Sequence, residues 1–184
     1  MNILAICGSL RARSTNLAVL EAAKLLAPAD MQITIFGGLA ALPHFNPDLD
    51  TEDPPETVRS LREAIGRADG LIICSPEYAR GVAGVTKNAL DWLVSSFEFP
   101  AKPIAVINAS QRSTHADAAL RLTLETMSAR LIKEASITMP LLGRGLDAAG
   151  IAADEELSTQ LRQALAQVQH VVAAPTDAPR HSPI

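Results

Sequence analysis

Five short apolar runs, each followed by a longer stretch of helical periodicity, constrain the fold of this chain more than any other feature. The runs are Ile3–Cys7, Ile33–Phe36, Leu71–Cys74, Ile104–Ile107 and Ile132–Thr138. The first, third and fourth are almost continuously apolar, the pattern of strands covered on both faces of a parallel sheet. The second and fifth are more mixed and read as edge strands. Helical spacing recurs between them: Val19, Ala22, Ala23 and Leu26, then Val58, Leu61, Ile65 and Ala68, then Val85, Ala89 and Leu93. A fourth stripe runs Ala116, Leu120, Leu124, Met127 and Leu131, and a fifth runs Leu157, Leu161, Leu165, Val168 and Val172. Asp53, ahead of Pro54-Pro55, is placed to cap the second helix, and Thr114 with Asp117 has capping-box spacing at the fourth. Strand–helix alternation implies right-handed crossovers. The expected architecture is α/β, a three-layer sandwich with a five-stranded parallel sheet in the order 2-1-3-4-5.

The 184 residues fit one domain, expected over 1–174, with 175–184 (three prolines in ten residues) as a flexible C-terminal tail. A hydrophobic share of 48% against 20% charged residues is enough for a continuous core. Net charge −4 argues against a protein that holds nucleic acid by a strong basic field. Cys7 and Cys74 lie inside apolar runs, which reads as buried thiols in a reducing compartment. No basic segment precedes the first apolar run, and no run approaches the ~20 residues that cross a bilayer. A cytoplasmic location is expected. The two cysteines and four histidines show no metal-ligand spacing, so no metal site is expected.

In an open α/β sheet of this order, ligands bind beyond the carboxyl ends of the first and third strands, where the strand order reverses. After the first strand comes Gly8-Ser9-Leu10-Arg11-Ala12-Arg13-Ser14-Thr15-Asn16-Leu17. Three hydroxyls, an amide and two guanidinium groups just ahead of a helix suit a terminal phosphate, because the helix start adds free N–H groups and partial positive charge. The alternative is that Ser14 or Thr15 merely caps the helix. Neither the G-x-G-x-x-G fingerprint nor the G-x-x-x-x-G-K-[ST] loop is present, which disfavours a dinucleotide or nucleoside triphosphate there and leaves a mononucleotide. After the third strand comes Ser75-Pro76-Glu77-Tyr78-Ala79-Arg80-Gly81-Val82-Ala83-Gly84, where Gly81 and Gly84 permit close backbone approach to a flat ring. Tyr78 is the only tyrosine of the chain.

Gly8-Ser9-Leu10-Arg11, Ser14, Asn16 and Ser75-Pro76-Glu77-Tyr78, Gly81, Gly84, Lys87-Asn88-Ala89-Leu90-Asp91-Trp92 together resemble the NAD(P)H-dependent FMN reductase family, which includes flavodoxin-like quinone, chromate and azo-dye reductases. Leu42-Pro43-His44-Phe45-Asn46-Pro47-Asp48 is similar to the family's segment after the second strand. The resemblance implies that Ser9, Arg11, Ser14, Asn16 and the Leu17 backbone hold the FMN phosphate. Pro76, Glu77, Tyr78, Ala79 and Gly81 would line the isoalloxazine and ribityl chain, with Ser110 as a further flavin contact. Ala79 stands where the family often has asparagine, and Ala83 where it often has proline. The loop Asn108–His115 lacks the family's common glycine-rich stretch.

The implied activity is hydride transfer from NAD(P)H to FMN, then two electrons to a quinone-like or other small acceptor, with no acid, base or nucleophile of the chain required. The cofactor carries the difficult chemistry. Aromatic residues are only 3% of the chain, so one ring face should stay open for donor and acceptor, which favours a reductase over a carrier. The other readings are a flavodoxin-like electron carrier or redox sensor, and a module for another phosphorylated ligand. A homodimer or homotetramer is expected from the resemblance, with the Gly37–Asp53 loop reaching a neighbour's flavin.

Overall fold

The computed structural model describes residues 1–174, so the tail expected at 175–184 lies outside it. Seven strands form: β1 (Asn2–Cys7), β2 (Gln32–Ile35), β3 (Gly70–Cys74), β4 (Glu77–Tyr78), β5 (Gly81–Val82), β6 (Pro103–Val106) and β7 (Arg130–Leu131). The helices are α1 (Thr15–Leu26), α2 (Glu56–Arg67), α3 (Gly84–Asp91), α4 (Thr114–Thr126), α5 (Ala148–Ala153) and α6 (Glu155–Ala173). Five strands build one parallel sheet in the order β2-β1-β3-β6-β7, which is the expected 2-1-3-4-5. The remaining two, β4 and β5, pair as an antiparallel hairpin.

The period-two alternation of the central strands divides the core. Ile3, Ala5 and Cys7 of β1 and Ile72 and Cys74 of β3 face the layer built by α1, α5 and α6. Leu4, Ile6, Leu71 and Ile73 face α2, α3 and α4. The apolar runs of β1 and β3 are therefore buried on both sides, which is why these strands read as continuous rather than alternating. The first and last helical stripes are equally plain, with Val19, Leu20, Ala22 and Ala23 and, in α6, Leu157, Leu161, Leu165 and Val168 all buried.

Three local expectations are corrected. Asp53 does not cap the second helix. Pro54 and Pro55 hold the chain extended, α2 starts only at Glu56, and Asp53 instead pairs with Arg59 at 2.6 Å. Thr114 and Asp117 form no capping box. The N-cap of α4 is Ser113, whose side chain makes no cap hydrogen bond, and Asp117 pairs with Arg121 at 2.8 Å.

The fifth strand is also not a continuous Ile132–Thr138 segment. Only Arg130 and Leu131 pair with β6, a 3-10 turn follows at Lys133–Ala135, and contact resumes at a single bridge between Asn108 and Thr138. Ser136 explains the interruption. Its hydroxyl accepts the Val106 N–H at 3.0 Å and donates to the Ile132 carbonyl at 2.7 Å, so a side chain replaces the ladder at the sheet edge.

Candidate functional site

The ends of β1 and β3 lie side by side in register, with Cys7 opposite Cys74, so the two sequence-predicted loops leave the sheet together. The ladder extends one bond further, from the Gly8 N–H to the Cys74 carbonyl at 2.8 Å. A Cβ on Gly8 would meet Thr86 Oγ1 at 2.2 Å and Ser75 Oγ at 2.5 Å. Glycine is thus required by close approach. Ser75 and Thr86 share a 2.8 Å hydroxyl contact that ties the loop after β3 to the first turn of α3. Thr86 is fully buried, a role that a single threonine inside an apolar helical stripe could have signalled.

In the loop after β1, Ser9, Ser14 and Asn16 are buried polar side chains, while Arg11 and Arg13 are exposed. Ser14 caps α1 by accepting from the Leu17 N–H at a long 3.4 Å, as the capping alternative required. Asn16 Oδ1 accepts from the Cys74 thiol at 3.3 Å, and the Cys7 thiol donates to the Ser9 carbonyl at 3.4 Å. Two thiols therefore form the floor of this loop. Burial pushes the Cys7 thiol up, and burial with the neighbouring Cys7 pushes Cys74 well up. Neither thiol is poised as a thiolate nucleophile. Arg11 and Arg13 make no ion pair among the described residues, and the loop contains no carboxylate. Buried hydroxyls, an amide, free guanidinium groups and a helix N-terminus form a donor set that fits a phosphate monoester.

The loop after β3 is a tight hairpin. Glu77 pairs with Val82 and Tyr78 with Gly81, leaving Ala79 and Arg80 as a two-residue turn with φ of 50° and 60°. Positive φ at both central residues matches the turn type that suits the right-handed twist of hairpins, at a cost for residues with a Cβ. Pro76 and Gly81 are half-buried, Ala79 and Arg80 exposed, and Tyr78 is 54% exposed with its ring free. Glu77 has a second duty that its sequence position does not reveal. Its Oε2 accepts the Ala116 N–H at 2.9 Å, capping α4 from outside that helix.

The loop after β6 is organised by buried Asn108, whose amide donates to the Ser113 carbonyl at 3.1 Å and whose Oδ1 accepts from the Ser110 N–H at 3.0 Å. Ser110 is half-buried, and its hydroxyl accepts from the Arg112 N–H at 3.2 Å. Through Glu77 this loop and the hairpin become one unit.

The long segment after β2 is pinned to α3. Asn88 and Trp92 side chains both donate to the Pro43 carbonyl, at 2.9 and 2.8 Å, and Asn88 Oδ1 accepts from the Phe45 N–H at 2.8 Å. Phe45 meets the buried Trp92 ring edge-on at 5.1 Å. Trp92 therefore packs, and His44 and Phe45 are held at the surface. Among the described residues no group of three His, Cys, Asp or Glu comes together to hold a metal ion, and no helix is long and apolar enough to cross a membrane.

A five-stranded parallel sheet carrying this pair of loops at its order reversal defines a flavodoxin-like α/β protein. Residues 1–141 match the model of the NADPH-dependent FMN reductase family. The chain is 32% identical over 174 residues to an NAD(P)H-dependent FMN reductase of Pseudomonas aeruginosa, an alignment covering 92% of this chain and 94% of that one. A quinone reductase of Escherichia coli is 37% identical over 106 residues, 57% of this chain and 55% of the other. Among solved structures, the flavoenzyme NAD(P)H:(acceptor) oxidoreductase FerB of Paracoccus denitrificans superposes with a TM-score of 0.71 at 26% identity, covering 92% of this chain and 97% of that chain. An apo NADH:FMN oxidoreductase shares the fold with a TM-score of 0.70 at 24% identity, covering 95% and 91%. This chain belongs to the NADPH-dependent FMN reductase family, a family of oxidoreductases that work with FMN and take electrons from NAD(P)H.

Proposed function

We propose that this chain is an FMN-containing oxidoreductase that takes hydride from NAD(P)H and passes two electrons to a quinone-like or other small acceptor. The observation that carries the reading is the fusion of two loops into one site by the Gly8–Cys74 ladder bond and the close packing of Gly8 against Ser75 and Thr86. Bound FMN would supply the hydride-accepting and electron-donating ring. The residues of the chain bind and orient it.

Ser9, Arg11, Ser14, Asn16 and the α1 start near Leu17 hold the phosphate, with neutral donors beneath and a cation above. Pro76, Glu77, Tyr78, Ala79 and Gly81 bound the ring and ribityl chain, Ser110 approaches from the loop after β6, and Glu77 fixes the hairpin to α4. Tyr78 is the one aromatic of these loops, so a ring face stays open to nicotinamide and acceptor in turn. Alternating occupancy of that face gives ping-pong kinetics.

Residues 1–174 act as one flavin-binding domain in the cytoplasm. Exposed Val94 and Phe97, the latter 97% exposed, support assembly into a homodimer or homotetramer. Light scattering on the purified protein reads that state directly.

The test is a visible spectrum of the purified protein followed by anaerobic titration with NADPH and NADH. Bleaching of the flavin band, and steady NADPH consumption once a quinone is added, are expected. A flavin that dithionite bleaches but NADPH and NADH do not identifies an electron carrier. Arg11→Ala should weaken FMN by about 10–100-fold, the value of a charge-assisted hydrogen bond.

A further inference from the structure

A cleft of about 500 Å³ opens on the α1 side of the phosphate loop, between the first turns of α1 and the segment that enters α5. That volume lies within the range of small-molecule sites, roughly 300–1,000 Å³. It shares Ala12, Arg13, Ser14, Thr15 and Leu17 with the phosphate loop, but no residue of 75–81 lines it. The hairpin instead packs against α4, beneath the opposite face of the sheet. The cleft is therefore not the place of the flavin ring.

Its walls are aliphatic, with Ala18 on one side and Leu146 and Ala148 on the other. Its polar groups are sorted by charge. Arg13 lines it just ahead of the α1 N-terminus, which adds positive potential. Glu21 and Asp147 also line it. Glu21 lies seven residues beyond the Ser14 cap, about 10 Å along the helix. It is also paired across its own helix with Lys24 at 3.0 Å, and Asp147 Oδ1 accepts the Gly150 N–H at 2.8 Å, which leaves Oδ2 available. Arg13 has no ion-pair partner among the described residues. A cation for a phosphate, aliphatic walls for a flat ring, and carboxylates for hydroxyl and amine donors fit the parts of a purine nucleotide.

We propose that the Arg13–Glu21–Asp147 cleft is a subsite for an adenosine 5′-phosphate group. This rests on the flavin reading, because both dinucleotides that such an enzyme meets, FAD and NAD(P)H, carry that group. Calorimetry of the FMN-loaded protein with 5′-AMP should give one site per chain with no release of FMN. Ala18→Trp should weaken AMP at least tenfold and Leu146→Ala severalfold, both with FMN retention unchanged, and Arg13→Gln should weaken AMP at least tenfold. No AMP binding, displacement of FMN by AMP, or variants that bind AMP like the parent would overturn the assignment. Two further measurements separate the sources: FAD against FMN affinity of the apoprotein, and KM for NADH against that for reduced nicotinamide mononucleotide. A loss caused by Ala18→Trp in either one supports the proposal and names the source, and no loss in both overturns it. A chain that retains no FMN would sink the flavin reading, while the AMP titration of the same chain still tests the cleft.

Discussion

The Glu77 carboxylate accepts a hydrogen bond from the Ala116 N–H at 2.9 Å, across 39 residues of chain. A carboxylate at a helix N-terminus satisfies an otherwise unpaired N–H and meets the positive end of the helix dipole. One bond thus stabilises α4 and fixes the hairpin that would face the flavin. Glu77→Ala should cost about 1 kcal/mol, the usual value of a lost cap, and should weaken FMN severalfold. Glu77→Gln keeps an acceptor and should restore most of both. Thermal melts and flavin titrations of the two variants, run side by side, check this.

Ala79 sits at φ 50°, where an L-residue with a Cβ is strained by about 1 kcal/mol. Asparagine tolerates that conformation through its short polar side chain. Ala79→Asn should raise the melting temperature by about 2–4 °C. A β-branched Ala79→Val should lower it. Unchanged melting in both would show that the turn relaxes without the constraint.

Asp50 and Arg62 form a largely buried pair at 2.8 Å, 13% and 15% exposed, joined by the Ser95 hydroxyl at 2.6 Å. Burial pushes the Asp50 carboxyl up, but the bonds from Ser95 and Arg62 and the Arg62 charge outweigh it and hold it below the usual carboxylate range. A carboxyl lowered in the folded state adds stability that is fully present above its unfolded value, near 4, and is lost as pH falls through the folded value. Stability should therefore decline below about pH 4. Asp50→Asn should flatten that acid limb and lower stability at neutral pH. Urea unfolding from pH 7 to pH 2.5 measures both.

Burial raises the pKa of both thiols, most strongly at Cys74. At pH 7 a thiol reagent should modify the native protein far more slowly than the denatured one. In denaturant both cysteines should react at once. Fast reaction of a native thiol would mean that the loop after β1 opens readily above Cys7.

The parallel sheet, its order and the two loops were legible because their signals are local. Apolar runs buried on both faces need no partner to be recognised, and phosphate-compatible donors cluster within ten residues. The interrupted fifth strand was not legible, because a hydroxyl at Ser136 competes with the ladder only once Val106 and Ile132 are beside it. Asp53 and the Thr114–Asp117 pair read as caps in sequence, yet both aspartates find an arginine instead. The duty of Thr86 also waits on Gly8 coming within contact distance.

Periodicity and loop chemistry, set by neighbours in the chain, determined the first four strands of the parallel sheet, the central helices and the phosphate-type donors from sequence alone. Tertiary packing decided which carboxylate caps α4, which carbonyl Asn88 and Trp92 grip, and where a second cleft opens. Those choices depend on groups tens of residues apart, whose proximity exists only after the sheet has brought them together.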